Sequence, residues 1–323
     1  MVKRRYKPPG GPAAGEDPSP PAGASSVPPV DAGPPGGGRS DGGPGLLRVW
    51  VLGARLHTLP AAAAPVLAGA GLARGDGAFA PLPSLAALAS ALLIQVGTNF
   101  ANDYFDWVRG ADTDDRRGGF TRVTQSGLAS PRRVRRWMAG AFAAACVPGA
   151  YLVWVGGWPI LLVGLASIAA GVAYTGGPWP LAYHGLGEPF VVLFFGFVAV
   201  SGTHYVNALR FDAGTLAAGA GVGAMCAAIL VVNNLRDRET DARAGKRTLA
   251  VRLGVGGSRA EYAALLAGWS PWTLLAWAGV AAAGPALATV MRSRRPEGLD
   301  RALISTGRAL ALYGLLLGVG AVL

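Results

Sequence analysis

Two short stretches of this chain gather the residue types that hold hard cations and phosphates. In the segment 233–248, NNLRDRETDARAGKRT, Asn233, Asp237 and Asp241 fall at i, i+4 and i+8, so a helix through them carries an amide and two carboxylates on one face. In 95–119, QVGTNFANDYFDWVRGADTDDRRGG, Asn102 and Asp106 are again four apart, and Asn99 and Asp103 repeat that spacing beside them. Oxygen ligands in this number suit Mg²⁺, which binds through a few carboxylates and otherwise through water and substrate phosphates. Each cluster is followed by cations able to meet the phosphates themselves: Arg109, Arg116, Arg117 and Arg122 after the first, Arg243, Lys246 and Arg247 after the second.

The elements that must position these faces are apolar helices. The run Ala217 to Val232 leads straight into the second cluster, and Leu85 to Ile94 leads into the first. Both sets of carboxylates therefore sit at helix C-terminal ends, where unsatisfied carbonyls already make the potential negative and each further anion is unfavourable by roughly 0.3–1 kcal/mol. Such a placement calls for a positive partner. A lone Asp-x-x-x-Asp often marks only the point where a helix leaves a bilayer. Two clusters built alike, each with an Asn four residues ahead of an Asp and each followed by glycine and a basic group, point to a binding site instead.

Of the 323 residues, 51% are hydrophobic and 15% charged, and long apolar runs recur from Leu46 to the end, which makes this an all-α, polytopic helical membrane protein. A formal net charge of +11 would suit nucleic acid on a soluble face. Here the basic residues lie between apolar runs, the positive-inside pattern, so a lipid bilayer and no nucleic acid is the expected partner. Residues 1–45 are rich in Pro and Gly with almost nothing to bury, and a disordered tail is expected there. Lys3, Arg4 and Arg5 are followed by no apolar stretch, so this is not a signal peptide and the tail is expected on the cytoplasmic side. Cys146 and Cys226 read as small residues inside apolar segments, and His57, His184 and His204 show no spacing for zinc.

Spans of about 46–73 and 82–102 deliver the first cluster; spans of about 134–155, 158–174, 190–206 and 215–233 deliver the second. Four crossings separate the clusters, so both emerge on one face, and the basic loops make it the cytoplasmic one. Arg55 and His57 fall in the first half of the first span, at the membrane edge or facing a polar cavity. Tyr183 and Glu188, in the Gly-, Pro- and aromatic-rich loop YTGGPWPLAYHGLGEP at 174–189, are candidates to line that cavity. Beyond Leu253 a short segment over 260–270 and a span over 271–291 are expected before a final span at 302–323.

These residues resemble the UbiA superfamily of intramembrane prenyltransferases. NDYFD at 102–106 and DRETD at 237–241 look like its two aspartate-rich motifs, and the resemblance covers nearly all of 46–323. NNLRDRETDARAGKRTLAVRLG, YTGGPWPLAYHGLGE and RLHTLPAAAAPVLAG look most like the branch that prenylates 1,4-dihydroxy-2-naphthoate in menaquinone synthesis. The resemblance implies one prenyltransferase domain over 46–323, with about eight or nine transmembrane helices in the cell membrane and a central cavity opening to the cytoplasm. It implies Mg²⁺-dependent transfer of a polyprenyl group from its diphosphate to the naphthoate, with loss of CO₂, giving demethylmenaquinone.

On that resemblance Asn102, Asp106, Asp237 and Asp241 would hold Mg²⁺, the three aspartates being the catalytic ones. Arg116, Arg122, Lys246 and Arg247 would bind the diphosphate, and Arg55 and His57, with Tyr183 and Glu188, the acceptor. One position departs: where the family's first motif often has a third Asp this chain has Gly110, with Asp112 and Asp114 further on. Two other readings stay open. One is a different aromatic acceptor, such as 4-hydroxybenzoate, homogentisate or a porphyrin. The other is a cation-coupled transporter or ion-binding membrane protein, against which both clusters lie at one edge and not at the midplane.

Overall fold

A long apolar run can satisfy its backbone N–H and C=O groups without water only by turning into a helix. A computed structural model of the chain describes residues 44–111, 122–267, 281–293 and 296–320, and all the regular structure among them is helical. The first run is broken: α1 (Leu46–Ala54) stops at Arg55, whose φ of 51° is left-handed, and a 3₁₀ turn (Leu56–Thr58) leads into α2 (Leu59–Gly75). After a short turn come α3 (Pro81–Val108), α4 (Pro131–Gly156) and α5 (Trp158–Ala173). A 3₁₀ turn (Leu181–His184) precedes α6 (Gly187–Val191), which continues through a π-helical segment (Val192–Val198) into α7 (Ala199–Ala208).

The chain then forms α8 (Gly214–Arg236), the short α9 (Arg238–Arg243), α10 (Leu249–Ala267), α11 (Gly284–Arg292) and α12 (Pro296–Gly320). Among the described residues six helical rods are long and apolar enough to cross a membrane, and α5 is apolar but shorter. This is a multi-pass architecture. One boundary differs from the sequence reading. α10 begins at Leu249, well before residue 260, and is kinked at Gly254, whose φ of 68° a helix does not accept. Of the expected 271–291 span, residues 281–291 lie within the described residues; residues 1–43 of the expected tail lie outside them.

α8 is the most enclosed helix, with Ala218, Val222, Met225 and Val231 almost completely buried. It packs against α2, α10, α12 and the π-helical segment. Helices in an apolar solvent associate by close backbone approach, and small residues make that approach possible here. Gly196 of the π-helical segment lies against Gly219 and Gly223 of α8, while Gly71 of α2 lies against Gly318 of α12. A side chain on Gly71 would fall on the backbone of Gly318, whereas one on Gly140 of α4 meets nothing within 4 Å. Gly71→Val is therefore expected to cost about 1–3 kcal/mol and lower the midpoint of thermal unfolding in detergent. Gly140→Val serves as the neutral control. Equal midpoints for the two variants would contradict this packing.

Candidate functional site

Asp106 lies on the last turn of α3 with its side chain almost fully buried. A carboxylate so placed needs cations, and two arrive: Arg122 Nη1 donates to Oδ2 at 2.8 Å and Lys246 Nζ to the same oxygen at 2.9 Å. The Tyr183 hydroxyl donates to Oδ1 at 3.2 Å. The Tyr183 ring lies near two cations, with Lys246 Nζ 5.1 Å and the Arg109 guanidinium 5.4 Å from its centroid. Arg109 in turn donates to the carbonyls of Thr175 and Gly177, fixing the loop after α5.

Lys246 also lies 3.8 Å from Asp241, so a single ammonium joins the first acidic motif to the second. The second motif is not one continuous helix, as the i, i+4, i+8 spacing suggests. α8 ends at Arg236, Asp237 takes the C-cap with φ −91° and ψ 4°, and α9 restarts at Arg238. Asp237 faces Arg236, whose Nε and Nη2 grip its two oxygens at 2.9 and 2.8 Å. Asp241, buried on α9, turns to Lys246.

The two motifs end in the same local device. Gly110 follows Asp106 by four residues and Gly245 follows Asp241 by four; both are left-handed, with φ of 67° and 73°. In each case the N–H two residues past the C-cap returns to the aspartate's own carbonyl, Ala111 to Asp106 and Lys246 to Asp241, both at 2.9 Å. This Schellman closure satisfies the carbonyl at the helix end and reverses the chain. In the second motif it swings Lys246 back over the carboxylates. In the first it accounts for Gly110: α3 is already over where a third Asp would stand. Asp112 and Arg116 lie outside the described residues.

The flanking pair Asn99 and Asp103 points elsewhere. Asp103, fully buried, accepts the backbone N–H groups of Val123 and Thr124 at 3.0 Å each, and so anchors the loop that presents Arg122. Asn99 donates to the Ala54 carbonyl at 2.8 Å and to Thr58 Oγ1 at 2.9 Å, tying α3 to the break that carries Arg55 and His57. Asn102 Oδ1 accepts the Thr175 hydroxyl at 3.0 Å. Glu188, on the first turn of α6, is buried and accepts from Asn234 of α8 at 2.8 Å. His57 lies within electrostatic reach of Arg55 and Arg236. Arg247 has an exposed side chain, and its backbone N–H donates to the Tyr183 carbonyl at 3.1 Å.

Beside this polar cluster runs an apolar cavity of about 440 Å³, walled by α2 to α5 and by the rod from α6 to α7. Thr98 and Gln95 of α3 lie on its wall, and Tyr174, within electrostatic reach of Asp106, Asp241 and Glu188, lines it at the site end. Sequence reasoning missed Thr175, Asn234, Arg236 and Asp300, the last two paired at 3.0 Å. It also missed a polar clasp at the other end of the bundle. There Asp76 meets His204 at 2.8 Å and Arg210 at 2.6 Å, close to Asp212, and the guanidinium fills the place a cation would take.

Oxygen donors from both motifs converge on one ammonium, a donor set and a positive locus that fit Mg²⁺ as well as lysine. The sequence profile of the UbiA prenyltransferase family matches residues 62–306. A 1,4-dihydroxy-2-naphthoate octaprenyltransferase of Mycobacterium tuberculosis is 41% identical over 276 residues, 82% of this chain and 94% of that one. Its namesake from Mycobacterium leprae is 38% identical over 278 residues, 82% and 93% of the two chains. In fold, the chain is similar to a UbiA homolog from Archaeoglobus fulgidus solved with GPP and Mg²⁺. The TM-score is 0.59 at 12% identity, covering 85% of this chain and 99% of that one.

Asp103 and Asp106 are three residues apart and answer to different tests. Asp103→Ala strands two buried backbone donors and is expected to destabilise the fold by about 2 kcal/mol or more, with faster proteolysis at the 122–130 loop. Tyr183→Phe removes one hydrogen bond from Asp106 and keeps the ring, so its cost stays near 1 kcal/mol. Chemical unfolding in detergent separates the two; the reverse order would overturn the anchoring role of Asp103.

Proposed function

The chain belongs to the UbiA prenyltransferase family, and on that premise we propose that it transfers a polyprenyl group from a polyprenyl diphosphate to 1,4-dihydroxy-2-naphthoate, giving demethylmenaquinol, the reduced form of demethylmenaquinone. The observation that carries this reading is the bridge from Asp106 through Lys246 to Asp241 beside an apolar cavity. An anionic head group and an isoprenoid tail need those two environments side by side.

In this proposal the tail occupies the cavity and the diphosphate lies against Arg122, Lys246 and Arg247, with Arg116 adding charge. Mg²⁺, when held by Asn102, Asp106, Asp237 and Asp241, supplies positive charge to the diphosphate oxygens as the allylic C–O bond breaks. Tyr183 holds Asp106 in orientation, and its ring packs against two cations. Arg55 and His57, displayed at the break between α1 and α2, take the carboxylate of the naphthoate, and Glu188 and Tyr183 orient its ring. The electron-rich ring forms the new C–C bond, and diphosphate and CO₂ leave. The domain comprises residues 46–323 with the 1–45 tail outside it. The site faces the cytoplasm of the cell membrane, since Arg132, Arg133, Arg135 and Arg136 all start α4 at that end.

Membranes carrying the protein should transfer a labelled polyprenyl diphosphate to dihydroxynaphthoate in the presence of Mg²⁺ and not without it. Product from 4-hydroxybenzoate instead would keep the chemistry and change the acceptor; no product from either would defeat the proposal. Asp106→Asn and Asp237→Asn should each lower turnover by about 100-fold or more while the protein still inserts. Gly202 lines the cavity with open space at its Cβ position, so Gly202→Phe should shorten the longest prenyl chain accepted. An unchanged product length would place the tail elsewhere.

A further inference from the structure

Arg236 closes α8 with its side chain 9% exposed, and its guanidinium is divided between two carboxylates. Nε and Nη2 engage both oxygens of Asp237, and Nη1 reaches Asp300 on α12 at 3.0 Å. A two-pronged guanidinium contact directs lone pairs of both carboxylate oxygens at the arginine. A metal at Asp237 draws on the same carboxylate charge and so weakens that contact, although each oxygen keeps a further lone pair. The guanidinium, nearly enclosed, then needs another counter-charge, because a buried ion that loses its partner is strongly destabilising. Asp300 is the counter-charge already in place.

We propose that Asp300 is a positioning residue that retains Arg236 when Asp237 turns to a metal, so that the last helix of the bundle takes part in loading the site. The inference rests on the second motif being a metal-binding one. Without Asp300, Arg236 loses one of its counter-charges and competes more strongly with the cation for Asp237.

The test is Mn²⁺ binding to the full-length protein in detergent, read as loss of the free-ion EPR signal, with no substrate present. Asp300→Asn should weaken binding about 10-fold or more, the range for residues that orient metal ligands, and Asp300→Glu should recover most of it. Arg236→Gln should bind at least as tightly as the parent, and in that background Asp300→Asn should have no further effect. An equal loss with and without Arg236 would show that Asp300 acts by its charge alone or as a ligand, and would overturn the proposal. No loss in either background would overturn it as well. The double variant removes both members of the Arg236–Asp300 pair, and a loss in it beyond that of Arg236→Gln would still overturn the proposal if the single variant folds poorly. Binding that Asp237→Asn leaves unchanged would sink the metal reading of the second motif and this inference with it.

Discussion

A carboxylate cannot stay charged in a water-poor interior unless opposite charge is brought to it, and Asp106 is such a carboxylate. Meeting that need brings four separate pieces of chain to one point: α3 supplies the acid, the loop at 122–130 supplies Arg122, the turn after α9 supplies Lys246, and the 3₁₀ turn supplies Tyr183. Breaking one member of a buried ion pair costs about 3–5 kcal/mol, several times the net worth of an ordinary hydrogen bond. The convergence of these segments therefore follows from a single electrostatic demand. The same cations that satisfy Asp106 are the ones assigned to the diphosphate in the proposed function, so one set of side chains would serve both anions.

Much of this was legible in the residues. Two acidic clusters at the ends of apolar helices, with an expected four crossings between them, imply one shared face, and Lys246 lies between Asp106 and Asp241. Helix spacing could not say which face looks at the chemistry. Asn99 and Asp103 share the four-residue interval of Asn102 and Asp106, and only packing shows that the first pair binds backbone. Partners distant in sequence were equally silent. Asp300 has no pattern around it that points to Arg236, and the clasp of Asp76, His204 and Arg210 joins residues more than a hundred positions apart. The break at Arg55 was hidden too, because a left-handed non-glycine residue leaves no compositional mark.

Glycine does two unlike jobs in this bundle. At Gly110 and Gly245 it supplies a left-handed turn that ends an acidic helix and redirects the chain, a conformation costly for other residues. At Gly71, Gly196, Gly219, Gly223 and Gly318 it supplies the absence of a side chain, letting backbones meet where lipid gives no hydrophobic push. The first job shapes the site and the second holds the frame that carries it. Neither can be told from the other by composition, since both appear only as a high glycine content.

α5 has 16 residues and none of them is buried. At 1.5 Å per residue it spans about 24 Å, against roughly 30 Å of hydrocarbon in a typical bilayer. A membrane around it must thin locally or let its ends draw inward. α5 is also one wall of the apolar cavity, so a guest there would be separated from the surrounding acyl chains by a single short, lipid-washed helix. For such a guest the bilayer is both the reservoir and the competing solvent. The quantity that governs its supply is its mole fraction among the lipids, and encounter with the protein is a two-dimensional search: adding bulk lipid dilutes the guest, whereas adding buffer does not.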